Sequence, residues 1–369
     1  MKLIVTFVVI CLTLATLKHN DLPFVTFTNA SLDIWDKTVR GSSNYKSSAL
    51  QLDNAFITSQ SPHHITNIKK INGDLLIITD DSVGMVVHYF HFMEHLLGIW
   101  NFLTYKNPAN VKMILFNFAQ SSTMDQAWHG TNNITLQLLT LLFPNATIGL
   151  LKDLPADLRL EAPNIFISSR VLSHLNPISY YINMNGGARQ YYKPSRLKNM
   201  RDQLLYNMQV KITLPPTHLR ITYSKRTNRR KMDEKIEKNL ITNIEQITNI
   251  PVNVVDFATL TFKDQLQIIA NTDLLIGAHG NGLTHLVFLP DNATLLEFYS
   301  VPNTSFYRVF AQLRGLRYYG NYKDKWYSKY IQSLTNDNQG YDVTEIDLKR
   351  TLDLVKRLNR EHANNAKIW

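Results

Sequence analysis

A chain of 369 residues with 44% hydrophobic and 18% charged side chains is too apolar to stay disordered and too long for a small stapled scaffold. Its length fits two domains, each with its own core. The formal charge is +10, and the only cysteine is Cys11, which excludes disulfides, thiolate metal sites and cysteine catalysis in everything after it.

Lys2 is followed by fifteen apolar or hydroxyl residues, Leu3 to Leu17, and then by Lys18 and His19. Residues 1–20 therefore read as a signal-anchor, with a cleaved signal peptide as the second reading. Sequons at Asn29, Asn133, Asn145, Asn292 and Asn303 fit a lumenal chain, although an Asn- and Thr-rich sequence also makes such triplets by chance.

The next stretch alternates β and α. Residues 74–79 predict a strand, 88–106 a helix, 111–118 a strand and 134–142 a helix, with extended pieces at 147–151 and 164–168. A Gly186-Gly187 turn and a basic helix over about 195–208 lead to Pro215-Pro216, which suits neither a helix interior nor a central strand. The boundary between an N-terminal acceptor-side α/β domain (21–214) and a C-terminal domain (215–369) is placed there.

In the second half, strands at 219–224, 252–257, 274–278, 294–299 and 316–319 alternate with helices at 233–247, 262–270, 283–289 and 306–313. Short loops between them predict a parallel, doubly wound sheet. Ile346, Leu348, Leu352, Val355 and Leu358 predict a closing amphipathic helix.

Three clusters could carry chemistry. Residues 193–238 hold 13 Lys/Arg against 4 acidic residues. Such a strip suits a nucleic acid, or a small anion such as a diphosphate in a cleft; a solvated basic helix is the plain alternative. Within it Arg226, Arg229, Arg230 and Lys231 directly follow a strand, and in a parallel sheet ligands bind beyond the carboxyl ends of strands. Guanidinium forks match phosphate oxygens.

The second cluster is Gly277-Ala278-His279-Gly280-Asn281-Gly282, between a predicted strand and a predicted helix. Glycines there let backbone approach an anion closely. The order is not the dinucleotide fingerprint, and Glu297 comes only 15 residues after Gly282, too early for the acidic partner of a nicotinamide site. A purely structural turn is the alternative.

The third is the predicted helix beginning at His88, on which His88, His91, Glu94, His95 and Gly98 share one arc. Three imidazoles and a carboxylate, with no Lys or Arg, suggest a cleft wall carrying a general base. The same stretch matches H-x-x-E-H, which opens a zinc-hydrolase reading on His91, Glu94 and His95. A catalytic zinc needs a third protein ligand, and the nearest downstream Glu, Glu161, lies just before Pro163.

His279-Gly280-Asn281-Gly282-Leu283-Thr284, then Phe288-Leu289-Pro290 and Leu295-Leu296-Glu297, resembles the HGAGLTN, FLP and E signature of glycosyltransferase family 61. Thr222-Tyr223-Ser224 with Arg226 and Arg229-Arg230, and the Tyr89-Phe90-His91-Phe92 segment, resemble the family's Arg-rich loop and aromatic-His helix. Asn281 stands where the pattern has Ala, and His285 where it has Asn.

The resemblance implies an α/β fold of GT-B type, with two Rossmann-like domains facing a central cleft. It implies inverting transfer from a UDP-sugar to a hydroxyl of a glycan or glycoprotein, without bound metal, cofactor or nucleic acid. Gly280, Gly282 and Thr284 would sit by the diphosphate, with Asn281 and Leu283 in the same loop. Arg226 and Arg230 would neutralise it, with Arg229 also on the donor-binding side; Glu297 would hold ribose hydroxyls, and His279 matches the family's histidine. For the base, Glu94 comes first, His95 second, and His91 shares their arc. A single-pass type II protein of the endoplasmic reticulum or Golgi membrane is expected, with a secreted protein second. A zinc hydrolase and a non-catalytic polyanion-binding protein are the alternatives.

Overall fold

The computed structural model describes residues 25–33, 38–43, 49–51, 65–80, 88–103, 107–118, 134–169, 194–213, 218–227, 231–298, 306–321 and 345–366. Their contacts divide into two compact units, both of mixed α/β or β character. The signal-anchor expected at residues 1–20 lies outside the described residues, among which no helix is long and apolar enough to cross a membrane.

The first unit is built on one sheet. Its strands are β1 (Val25–Asp33), β2 (Thr38–Ser43), β3 (Ala49–Gln51), β4 (Asn67–Lys70), β5 (Asp74–Asp80), β6 (Val111–Phe118), β7 (Thr147–Leu150) and β8 (Leu158–Ser169). They run in the order β3-β2-β1-β8-β5-β6-β7, with β4 also paired to β8. Strands β8, β5, β6 and β7 are parallel, and Leu76, Ile78, Ile114 and Phe166 are as buried as Leu75, Ile77, Leu115 and Ile167 on the alternate positions. Burial on both faces is why these strands read as continuous apolar runs.

The antiparallel flank of β1, β2 and β3 was not expected from sequence. A bulge between Thr28 and Ser31, with Asn29 at φ 46°, puts the buried side chains of β1 at Phe27, Ala30 and Leu32. That spacing breaks the period of two that identifies a strand.

The second unit contains α1 (Tyr89–Leu103) except its last two residues, α2 (Ile134–Leu142) and α3 (Pro194–Asn207). It continues with β9 (Ile221–Ser224), α4 (Glu234–Thr248), β10 (Asn253–Val255), α5 (Phe262–Ile269), β11 (Leu274–Ala278), β12 (Thr294–Phe298), α6 (Phe306–Arg314), β13 (Arg317–Asn321) and α7 (Glu345–Ala366). The contacts thus divide the chain otherwise than at residue 214, because α1, α2 and α3 belong with the second sheet. Trp100 Nε1 donates to the Arg196 carbonyl at 3.1 Å, and Asn207 Nδ2 to that of Leu141 at 2.6 Å.

All five strands of this sheet are parallel, in the order β10-β9-β11-β12-β13. On one face Tyr223, Ile276 and Phe298 share a core with Leu240 and Ile244 of α4 and Val355 and Leu358 of α7. Asp233 caps α4 by accepting from Lys235 N and Ile236 N, and Thr261 caps α5 by accepting from Asp264 N.

Where an α-helix was expected at 283–289, residues Asn281–Phe288 form a 3-10 helix. At roughly 2.0 Å per residue against 1.5 Å, the tighter winding reaches further with the same residues, and these few carry the chain from the end of β11 back toward the start of β12. Two buried guanidiniums fasten its end: Arg201 donates to the Phe288 carbonyl, and Arg314 to those of Val287 and Leu289.

Candidate active site

A crevice of about 300 Å³ opens at the carboxyl ends of β9, β10 and β11. Its walls come from residues 224–227, 256–258, Ala278 and 280–282, with Tyr89, Gln265 and His285 beside them. The chain steps from β9 outward to β10 and then back past β9 to β11, so the crevice sits where the strand order reverses. That is the position at which parallel sheets hold ligands.

Arg226 and Gly280 define the turn. Arg226 Nη1 donates to the His279 carbonyl at 2.8 Å, and a Cβ on Gly280 would lie 1.5 Å from that nitrogen. A Cβ on Gly282 would lie 2.8 Å from Ser224 Oγ. A side chain at Gly280 would push the Arg226 guanidinium aside, and one at Gly282 would crowd the Ser224 hydroxyl. Leu283 and Thr284 are wholly buried and support the turn from below, Thr284 Oγ1 donating to Asn281 Oδ1 at 3.4 Å. Asn281 Oδ1 also accepts the Phe90 N–H at 3.0 Å, capping α1 from a distant loop.

Glu297 is wholly buried. His279 Nδ1 meets its Oε1 at 2.5 Å, and Tyr318 Oη donates to its Oε2 at 2.6 Å. Through these bonds Glu297 supports the His279 ring from within the core. The His279 ring lies edge-on to Tyr307 at 5.2 Å. Arg229 and Arg230 lie outside the described residues.

The polar arc of α1 is mostly buried. Glu94 and His95 are 3% and 2% exposed, and neither they nor His91 line the crevice. His91 Nδ1 meets Glu94 Oε2 at 2.8 Å, and the His91 side chain keeps 25% exposure. Among the described residues no three His, Cys, Asp or Glu side chains converge as a metal-ligand set, so the zinc-hydrolase alternative gains no support there.

The basic strip is also less open than its composition suggests. Arg201 is buried, and Arg220 forks onto Asp273 at 2.9 and 2.7 Å.

Sequence reasoning missed three residues that shape the crevice: Tyr89, Gln265 and His285 as a lining group. His285 Nδ1 faces the Gly282 carbonyl at 2.9 Å and its Nε2 faces Gln265 Oε1 at 2.7 Å. Gln265 Nε2 donates to the carbonyls of Phe257 and Leu260, which fixes Oε1 as the atom turned to the ring. The ring stacks on Phe257 at 4.6 Å. Burial pushes the His285 imidazole down to about 4, against the pull of the Gly282 carbonyl. A neutral ring has one proton for two oxygens.

Tyr89 opens α1, with its ring edge-on to His285 at 5.1 Å and to Phe262 at 6.2 Å. Its hydroxyl is buried and has no hydrogen-bond partner. Burial, with Tyr307 adding, raises the phenol well above its ordinary range, so it stays protonated. No periodicity could flag it, because it begins an apolar helix.

Fold and site together define an α/β protein with a strand-end crevice suited to an anionic ligand. A family profile described as Glycosyltransferase 61 matches residues 89–296, more than half of the chain, and the chain belongs to that family. It is 40% identical over 116 residues to the EGF domain-specific O-linked N-acetylglucosamine transferase of Drosophila melanogaster, covering 31% of this chain and 22% of that protein. The Mus musculus protein of the same name is 43% identical over 84 residues, 22% of this chain and 16% of its own. The matched stretches thus span about a fifth of those relatives or less. The glycosyltransferase TibC from enterotoxigenic E.coli aligns over 93% of this chain and 89% of its own at 9% identity and a TM-score of 0.34, too loose a likeness to bear on the fold.

Proposed function

We propose that this chain is an inverting glycosyltransferase of GT-B arrangement, moving a sugar from a UDP-sugar to a hydroxyl of a glycan or glycoprotein without a resident metal. The observation that carries this reading is the strand-end crevice, closed by a glycine turn with Arg226 locked against it. The relatives' names support N-acetylglucosamine as the sugar and an EGF-domain hydroxyl as the acceptor.

In the reaction the acceptor oxygen bonds to the anomeric carbon while the bond from that carbon to the phosphate oxygen breaks. UDP leaves with the electron pair, and the acceptor's proton passes to a base. Arg226 and Lys225, both on the crevice wall, face the charge that develops on the departing diphosphate. His91 is the most exposed of the three candidate bases on α1, and Glu94 orients its ring, so the role of base falls to it. On this reading the protein works in the lumen of the endoplasmic reticulum or Golgi, with residues 1–20 as its anchor.

Presenting a panel of UDP-sugars with an EGF-domain acceptor tests the reading. Transfer is expected, with UDP-N-acetylglucosamine the preferred donor. A purified chain that neither binds UDP nor turns over any UDP-sugar, yet binds polyanions with steep salt dependence, sinks it.

A further inference from the structure

We infer that the Asp256 carboxylate receives the nucleoside half of the diphosphate ligand in the crevice, accepting a hydrogen bond from a ribose hydroxyl or from the uracil imide N–H. This rests on reading the crevice as a UDP site, and it assigns the two ends of the ligand to different strand ends.

Asp256 is the only acid among the described residues that line the crevice, and it is half-buried there. A carboxylate on the wall of a pocket for a diphosphate repels that ligand's charge, so it lowers affinity unless another part of the ligand meets it. The nucleoside brings the matching groups. A carboxylate only accepts hydrogen bonds, whereas ribose hydroxyls and the imide N–H donate them.

The strand order keeps the two halves apart. Val255 of β10 pairs with Ser224 of β9, and Gly277 of β11 pairs with the same serine from the other side. Asp256 therefore leaves the sheet on one flank of β9 and the glycine turn leaves it on the other, two strand spacings or roughly 10 Å apart. Lys225 and Arg226 follow Ser224 between them, and Arg226 is tied to the turn through the His279 carbonyl. A diphosphate against Arg226 and the turn leaves the far flank, with Asp256, to the nucleoside.

The carboxylate is also oriented beforehand. Thr227 Oγ1 donates to its Oδ2 at 2.8 Å and the Ala258 N–H to its Oδ1 at 3.0 Å, and both donors belong to crevice-lining residues. With about four lone-pair sites on a carboxylate, two such bonds fix its direction and leave capacity for a ligand. Capping the 3-10 turn Phe257–Thr259 through Ala258 needs only one side-chain oxygen, which asparagine supplies equally well. Asp256→Asn thus keeps the cap and removes the charge and one acceptor.

The test is calorimetric titration of the full chain and its Asp256→Asn variant with UDP, inorganic pyrophosphate, 2′,3′-dideoxy-UDP and N3-methyl-UDP. UDP affinity should fall about 10–100-fold in the variant, as for loss of a hydrogen bond to a charged group. Pyrophosphate should bind at least as tightly as before, because a like charge has gone, and so doubles as the control for an intact crevice. The loss should vanish with the dideoxy ligand where the ribose is the donor, and with the methylated ligand where the base is. Unchanged or tighter UDP binding overturns the inference. An equal loss for UDP and pyrophosphate, or a loss that persists with both analogues, overturns it too. If the unmutated chain does not bind UDP, the proposed function itself fails.

Discussion

The side-chain oxygen of Asn281 takes the backbone N–H of Phe90 at 3.0 Å, so a residue of the glycine turn serves as the cap of a helix 191 positions earlier. The first N–H groups of any helix lack partners within it, and a capping oxygen contributes about 1 kcal/mol. Asn281→Ala, which restores the family's own residue, should lower unfolding free energy in urea by about that amount. Asn281→Asp keeps an acceptor next to the positive end of the helix and should lose little. Equal stability of the alanine variant and the parent would falsify the capping role.

Gly280 and Arg226 cannot be changed independently. Gly280→Ala places a carbon where the Arg226 guanidinium lies, breaking its bond to the His279 carbonyl. UDP affinity should drop at least about tenfold, as expected for a displaced charged donor. Adding Arg226→Ala to Gly280→Ala relieves the clash but not the missing charge. The double variant should therefore regain stability and not affinity, and strictly additive stabilities would show that the two residues do not interact.

Acid should weaken the fold through His285. Its folded value of about 4 lies below the roughly 6.5 of an unfolded chain, so between those values the unfolded state binds the extra proton. The neutral ring's contribution is complete above about pH 6.5 and is lost as pH falls toward 4, in total on the order of 3 kcal/mol. Urea unfolding across that range should fall more steeply for the parent than for His285→Asn. Parallel curves would mean that the folded ring accepts its second proton and uses both facing oxygens.

Glu297→Gln should cost about 1–3 kcal/mol of stability, because an amide in that pocket must turn a donor toward either Tyr318 or His279. It should not alter discrimination between UDP and 2′-deoxy-UDP. A variant that no longer distinguishes the two ligands would return Glu297 to the ribose.

For proton transfer, His91→Ala should lower turnover by roughly 10²–10⁴ with UDP affinity intact. Glu94→Gln should lower it less, since Glu94 acts through the ring it orients. Full turnover in His91→Ala removes His91 as the base, and a larger loss in Glu94→Gln gives that role to Glu94.

Strands β5, β6 and β11 were readable because burial on both faces leaves an unbroken apolar signature, and the glycine turn was readable because clustered glycines between a strand and a helix mark a close approach of backbone. β1 was hidden by its bulge at Asn29. The division into units was hidden too, because Pro215-Pro216 marks a break in the sequence pattern, whereas the contacts group α1, α2 and α3 with the second sheet. At the site, Arg226 was legible from the topology of parallel sheets, whereas Tyr318 and Gln265 depend on partners about 20 residues away that no local pattern encodes. The polar arc of α1 was legible, but not the burial of Glu94 and His95, since spacing shows which residues share a face and not what covers them.

Helix α1 also sets a timetable for biosynthesis. It leaves the ribosome with Phe92, Met93, Leu96, Leu97 and Trp100, all of which end up buried, while the loop that caps it has yet to be made. At about 5–20 residues per second, the 191 residues between Phe90 and Asn281 take roughly 10–40 s to synthesise. Through that interval the nascent chain displays an apolar helix without its cap, which makes this stretch the natural client of a chaperone. Fragments that stop short of Asn281 should be cleared by quality control rather than accumulate.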